Sequence, residues 1–353
     1  MNLRCEIDNL EPEMVVNEDI YDGDNVLMLA RGTVLTRENI ESIKKLGVRE
    51  LDIYRRLQFK QPVLAYHLDQ TRVRDFKHQY ARSRNEFKGL IKYISSGNQV
   101  NVDQAYRIPG ALLSSVGSTN NLFAYLNHVD GLDDHTLGHS INVALICAVI
   151  GNWFNLNKDD TKKIVVAGLL HDVGKSLLPP MLLNKAGLFT PEEWVQVKKH
   201  PIHGYRILHR VRIPKPMLVG ALMHHEREDG SGYPFGVSQG KIPMSARFVA
   251  LADIYDAMTS NRCYRNSMSP FKVIRLLLNN YYGVLHTGIL MTFLSRIAEC
   301  YVGEMVRLTD GRVGKVVFIN SGNPARPVVQ LTDGFINLEE TTSLDIDSLL
   351  TVG

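Results

Sequence analysis

Five helical stretches of this chain each end on, or bury, a residue type that binds metals, and that repetition constrains the fold more than any other feature. They are Ile141–Ile150 behind His139, Val165–Leu170 leading into His171 and Asp172, Trp194–Lys199 leading into His200, Leu218–Met223 leading into His224 and His225, and Val249–Ala252 leading into Asp253. A single histidine on an apolar face is usually a satisfied core residue. Five such endings point to helices converging on one polar site, where a cation removes the cost of burying a carboxylate. Mixed imidazole and carboxylate donors suit iron, manganese or nickel better than a structural zinc.

The adjacent pair His171-Asp172 is the sharpest element. The imidazole can fill one metal, while the two oxygens of Asp172 can span two. Gly174 lets another backbone approach closely, and Lys175 adds an ammonium one turn after His171. An ammonium beside a buried carboxylate makes sense where anionic oxygens gather. A bare His-Asp pair is common by chance; His-Asp-Val-Gly-Lys after an apolar helix is not. His135 lies four residues before His139 and shares its helix face. Asp256, one turn after Asp253, reads as a support for the ligands or as a cap for a loop. His203 reads as a bystander or supporting group, and His209 as surface.

With 353 residues, 44% of them hydrophobic and 22% charged, the chain can bury a sizeable core and has room for two or three domains. A net charge of +3 without a Lys/Arg block gives no support for binding a DNA or RNA polymer. The four cysteines are scattered, with no CxxC pair, which suits a reducing compartment. The N-terminus has no apolar signal region, and the run Ile141–Ile150 is too short to span a bilayer. These features predict a cytoplasmic protein without a membrane span.

Four regions follow from the patterning. Residues 1–60 alternate turn signals and short apolar stretches around one helix that opens after Thr36 and ends near Gly47, followed by a strand at Val48–Tyr54: a small α/β module. Residues 61–105 carry Val73, Phe76, Tyr80, Phe87, Leu90, Ile91 and Ile94 at helical intervals, which predicts one long helix over about 70–96, stopped at Gly97. It serves either as a linker or as a signalling or homodimerisation helix. Residues 106–300 are helical, broken by a Gly/Pro-rich loop at 228–243. From residue 301 short strands at 306–308, 314–319 and 327–331 form a β-rich appendage.

The order of these motifs, from His139 through His171-Asp172-Val173-Gly174-Lys175, His200 and His224-His225-Glu226 to Asp229-Gly230-Ser231-Gly232-Tyr233-Pro234 and Asp253, resembles the HD-GYP family, a branch of the HD-domain phosphohydrolases. The resemblance covers roughly residues 110–300. It implies a mainly α protein with an all-helical catalytic domain at 106–300. It also implies two divalent metal ions, iron or manganese, and a phosphodiesterase that hydrolyses cyclic di-GMP to linear pGpG or GMP. By resemblance, His139, His171, Asp172 and Asp253 hold one metal, and Asp172 bridges to a second held by His200, His224 and His225. Lys175, Arg262 and Arg265 contact substrate phosphates, and Tyr233 of the loop stacks on a base, lines the pocket or meets a partner protein. The expected chemistry is attack of a metal-bridging hydroxide on phosphorus, with Asp172 and Lys175 at its centre. Relatives with a third metal carry Glu where this chain has His135, which favours two metals and leaves His135 as an additional ligand. Two other outcomes share the ligand set: hydrolysis of 3′3′-cyclic GMP-AMP, and a non-catalytic cyclic dinucleotide receptor.

Overall fold

The structure is a computed structural model and describes residues 2–10, 14–16, 20–21, 27–29, 33, 35–54, 70–116, 122–126, 129, 135–183, 185, 187–260, 268–320 and 322–350. The chain divides into two compact units, one of residues 1–66, 302–345 and 350–353, the other of residues 67–301 and 346–349.

The first unit begins with β1 (Asn2–Glu6), β2 (Val15–Val16), β3 (Ile20–Tyr21), β4 (Leu27–Leu29), α1 (Arg37–Lys45) and β5 (Glu50–Tyr54). β1, β5 and β2 form an antiparallel sheet in that order, and β3 pairs with β4. Thr36 caps α1 as its position predicts: its hydroxyl accepts from the Asn39 N–H at 3.1 Å, and Asn39 Oδ1 accepts from the Thr36 N–H at 3.0 Å. Gly47 ends the helix at φ +75°. Ile40 and Ile43 on one face of α1 pack with Val16, Leu35 and Leu51. The unit also holds β6 (Met305–Leu308), β7 (Val313–Phe318), β8 (Val328–Leu331) and β9 (Gly334–Asn337), an antiparallel meander.

The second unit is helical: α2 (Gln70–Ser95), α3 (Val102–Ser115), α4 (Leu122–Leu126), α5 (His135–Trp153), α6 (Lys158–Leu170), α7 (Pro180–Leu183), α8 (Pro191–Val197), α9 (His200–Arg210), α10 (Lys215–Met223), α11 (Met244–Thr259), α12 (Pro270–Tyr281) and α13 (Thr287–Glu299), with the short strand β10 (Ile346–Leu349) beside α12. The chain is mainly α with small β elements, as expected. α5, α6, α10 and α11 pack on one another at the centre. Residues 141–150, 164–170 and 248–256 are buried on every side, so these helices are apolar all round.

The window Thr136–Trp153 of α5 is long and apolar enough to cross a membrane by length and composition, the one helix among the described residues that is. The apolar run Ile141–Ile150 alone suggests a shorter element, because the helix extends through polar ends. Most of this window is buried inside the unit, and it carries His139.

The long helix expected at 70–96 is α2. Its residues Val73, Phe76, Tyr80, Phe87, Leu90 and Ile94 are buried, and it packs against α3, α5 and α9. The Tyr80 hydroxyl donates to Asn142 Oδ1 at 2.6 Å and lies 3.1 Å from the Gly138 carbonyl, which fixes α2 beside the turn of α5 that holds His139.

Candidate metal centre

Three of the expected ligands stand at helix ends, and the backbone there dictates how their rings point. The last carbonyls of an α-helix lack intrahelical donors. His171, at the end of α6, offers Nδ1 to the Gly168 carbonyl at 2.7 Å; His224, at the end of α10, offers Nδ1 to the Ala221 carbonyl at 2.7 Å; His200, just past α8, offers Nδ1 to the Val197 carbonyl at 2.8 Å. A carbonyl only accepts, so each Nδ1 carries the proton and each Nε2 presents a lone pair. One device, used three times at spacing i to i−3, aims three lone pairs at the same centre.

Asp172 lies between them, 4% exposed. Its Oδ2 is 3.2 Å from His171 Nε2, 3.9 Å from His139 Nε2 and 2.5 Å from the Lys175 ammonium, while its Oδ1 is 3.2 Å from His200 Nε2. The two oxygens thus face different histidine groups. Burial alone would raise the Asp172 carboxyl, but the neighbouring His171, the Lys175 ammonium and the facing His200 hold it well below the usual carboxylate range. Asp172 Oδ1 and His171 Nε2 are both fully buried without a hydrogen-bond partner. Such orphans are costly unless something else binds them, and a cation does.

On the far side, His139 sits inside α5 between two carboxylates of α11, with Nδ1 2.6 Å from Asp256 Oδ2 and Nε2 3.0 Å from Asp253 Oδ1. Burial by itself would lower the His139 pKa, but Asp253 and Asp256 raise it to about 9. Asp256 is the support expected from sequence. It takes the His139 Nδ1 proton and is itself held by the Ser260 hydroxyl at 2.9 Å, leaving Nε2 for a metal. His225 completes the ring of residues, its Nδ1 3.8 Å from Asp253 Oδ2.

The donor atoms fall into three overlapping clusters, each with all ligand atoms within 4.8 Å: His139–His171–Asp253, His171–Asp172–His224 and His200–His224–His225. All seven residues expected as ligands are therefore brought together. His135 lies on α5 one turn before His139, its side chain outside the described residues, and Arg262 and Arg265 also fall outside them. His203 is not part of the cluster; its buried Nδ1 has no partner.

The loop after His225 is tied to the centre by a residue to which the sequence assigns no role. Glu226, 2% exposed, accepts from the Phe235 N–H at 2.7 Å and from the Val237 N–H at 3.0 Å. The Tyr233 N–H donates to the His225 carbonyl at 3.1 Å. Gly232 is required here because a Cβ would lie 2.5 Å from both Arg227 N and Glu226 Cα. Together these contacts lay the Tyr233 ring on His225, centroids 4.5 Å apart at 28°. Further out, Glu228 pairs with Arg247 at 2.8 Å. Glu226→Ala should strand two loop donors, lower stability by about 1–3 kcal/mol in denaturant unfolding and free Tyr233 from His225. Unchanged stability would mean that the loop does not depend on this anchor.

Residues 124–281 match the HD domain family. The chain is 31% identical over 238 residues to a cyclic di-GMP phosphodiesterase of Pseudomonas aeruginosa, covering 67% of this chain and 57% of that protein. It is 41% identical over 136 residues to a cyclic di-GMP phosphodiesterase of Thermotoga maritima, covering 38% and 37%. It is 34% identical over 151 residues to a 3′3′-cGAMP-specific phosphodiesterase of Vibrio cholerae, covering 43% and 35%. The chain thus spans less than two thirds of each of these relatives.

Proposed function

We propose, on the premise that residues 124–281 form an HD domain, that this chain is a metal-dependent phosphodiesterase that hydrolyses cyclic di-GMP to pGpG or GMP. The observation that carries this reading is Asp172, whose two oxygens face separate histidine groups, with Asp172 Oδ1 and His171 Nε2 buried without a hydrogen-bond partner.

In this reading His139, His171, Asp172 and Asp253 hold one divalent cation, and Asp172, His200, His224 and His225 hold a second. Iron or manganese suits the donor set. When bound, such cations lower the pKa of water to near neutrality and offset charge on phosphoryl oxygens. The protein's own groups do the rest. Lys175, held against Asp172, lies where a substrate phosphate reaches the centre and offers it an ammonium. The Nδ1 hydrogen bonds of His171, His200 and His224 keep those rings from turning during the reaction. Arg262 and Arg265 would hold the second phosphate, the fork of each guanidinium matching its oxygens. Tyr233, laid on His225, borders the entrance and can meet a base. A third metal would draw on His135.

A second substrate has a specific basis, since one similar protein is named for 3′3′-cGAMP. Side-by-side rates on cyclic di-GMP and 3′3′-cyclic GMP-AMP decide between them. The proposal expects faster turnover of cyclic di-GMP; exclusive turnover of the mixed dinucleotide would overturn the assignment of substrate. A purely receptor function would leave seven intact ligands without a purpose. A homodimer through α2 would have to use its polar face, because the apolar stripe is already covered. The exposed outer part of the loop, around Phe235, is where a partner protein would meet it.

The charge state of His139 adds a pH signature. In the metal-free protein the ring is an imidazolium up to about pH 9, and a metal at Nε2 must displace that proton. Metal uptake should therefore release about one proton per chain from His139 at pH 7, and affinity should rise with pH until the ring is neutral above about 9. Calorimetry in buffers of different ionisation enthalpy reads the proton directly. Release that is the same at pH 7 and pH 10 would contradict the arrangement.

A further inference from the structure

We infer that the indole of Trp194, backed by Phe189, is a stacking platform for one base of the dinucleotide; this rests on the function proposed above. A continuous series of rings leads outward from the ligand cluster. Tyr233 lies on His225, the Trp194 ring stands edge-on to Tyr233 with centroids 6.1 Å apart at 77°, and Phe189 runs nearly parallel to Trp194 at 6.1 Å and 17°. Trp194 is 42% exposed and Phe189 36%.

Packing does not account for this indole. It sits on α8, a seven-residue helix with no buried residue, so Trp194 anchors no core. Yet the helix is held firmly. Thr190 and Glu193 close a capping box at its start, and the Lys185 ammonium reaches Glu193 at 2.5 Å. At its other end the Val197 carbonyl receives the His200 Nδ1 proton at 2.8 Å. A firmly held helix tied to His200 therefore presents a half-exposed aromatic face next to Tyr233 and the histidine cluster. A cyclic dinucleotide whose phosphates sit at the cations must put its bases on the surrounding walls, and a fixed aromatic face is what a base binds.

Trp194→Ala should raise the KM for cyclic di-GMP roughly tenfold or more, the size of one lost base stack, and leave kcat within about twofold. Trp194→Phe should recover most of the loss, which a merely structural role would not predict. The metal-loaded full chain also reports directly, since it has two tryptophans and Trp153 packs against Phe123 and Phe293 at 6.1 and 5.8 Å. Titration with a phosphorothioate analogue of cyclic di-GMP should quench wild-type emission and leave Trp194→Phe unquenched. An unchanged KM in Trp194→Ala, or quenching that survives in Trp194→Phe, would overturn the platform and leave the phosphodiesterase reading standing. A metal-loaded wild-type chain that neither hydrolyses nor binds the dinucleotide would overturn both.

Discussion

Asp172→Ala is expected to reduce cyclic dinucleotide turnover by about 10³-fold or more and to leave the protein with fewer metal ions per chain. The reason lies in where its oxygens point. Oδ2 faces the His139–His171 side and Oδ1 the His200 side, which is what the proposed role of a ligand shared by two cations requires. The expected effect exceeds the roughly 10–100-fold typical of losing a group that only orients a ligand. Asp172→Ala also leaves the Lys175 ammonium without the carboxylate 2.5 Å away, which removes the group that holds it in place. The check is turnover and metal content on one preparation, with circular dichroism to verify the fold. Retained turnover would mean that Asp172 is not shared between cations.

Gly174→Ala is expected to damage the site from behind. Gly174 lies in the 3₁₀ turn Val173–Leu177, pressed against the start of α9. A Cβ there would run into the His200 carbonyl oxygen and the Gly204 nitrogen, both backbone atoms that cannot swing away, with Gly204 Cα only 3.0 Å distant. Overpacking of this kind costs about 1–3 kcal/mol, and relief by shifting α9 would carry His200 away from Asp172. The variant should unfold at lower denaturant, bind metal more weakly and lose most activity. Wild-type stability and activity in Gly174→Ala would show that α9 has slack that the packing does not display.

The convergence of the candidate residues is legible in the sequence because helix ends are legible. An apolar run that stops on His171-Asp172 or His224-His225 announces a helix that delivers polar groups into an interior. Ring orientation was not legible, because it depends on which carbonyl three residues back is left open at a helix terminus. Pairings across the chain were equally hidden: His139 meets Asp253 and Asp256 over more than a hundred residues, and no periodicity records that. Glu226 stands in the His224-His225-Glu226 motif without an assigned role, because only the two backbone donors it accepts from reveal an anchor. Trp194 lies on an amphipathic stretch, where an aromatic residue ordinarily reads as core.

In the fold, the helix at 70–96 followed from its apolar interval, whereas β9 and β10 escaped. Gly334–Asn337 is short, with Phe335 45% exposed, so it lacks the alternation that marks a half-buried strand. β10 is paired with no signal of its own, its Ile346 carbonyl taking the Ser269 hydroxyl at 3.3 Å. The strand expected from Val48 begins at Glu50, which pairs with Glu6 of β1.

The most direct measurement is an anaerobic titration of metal-free protein with iron(II) or manganese(II), with cyclic di-GMP hydrolysis assayed at each addition. Two cations sharing Asp172 predict little activity through the first equivalent and a rise that levels at about two per chain. Full activity at one equivalent, or no hydrolysis of any cyclic dinucleotide with the site filled, would contradict the binuclear phosphodiesterase.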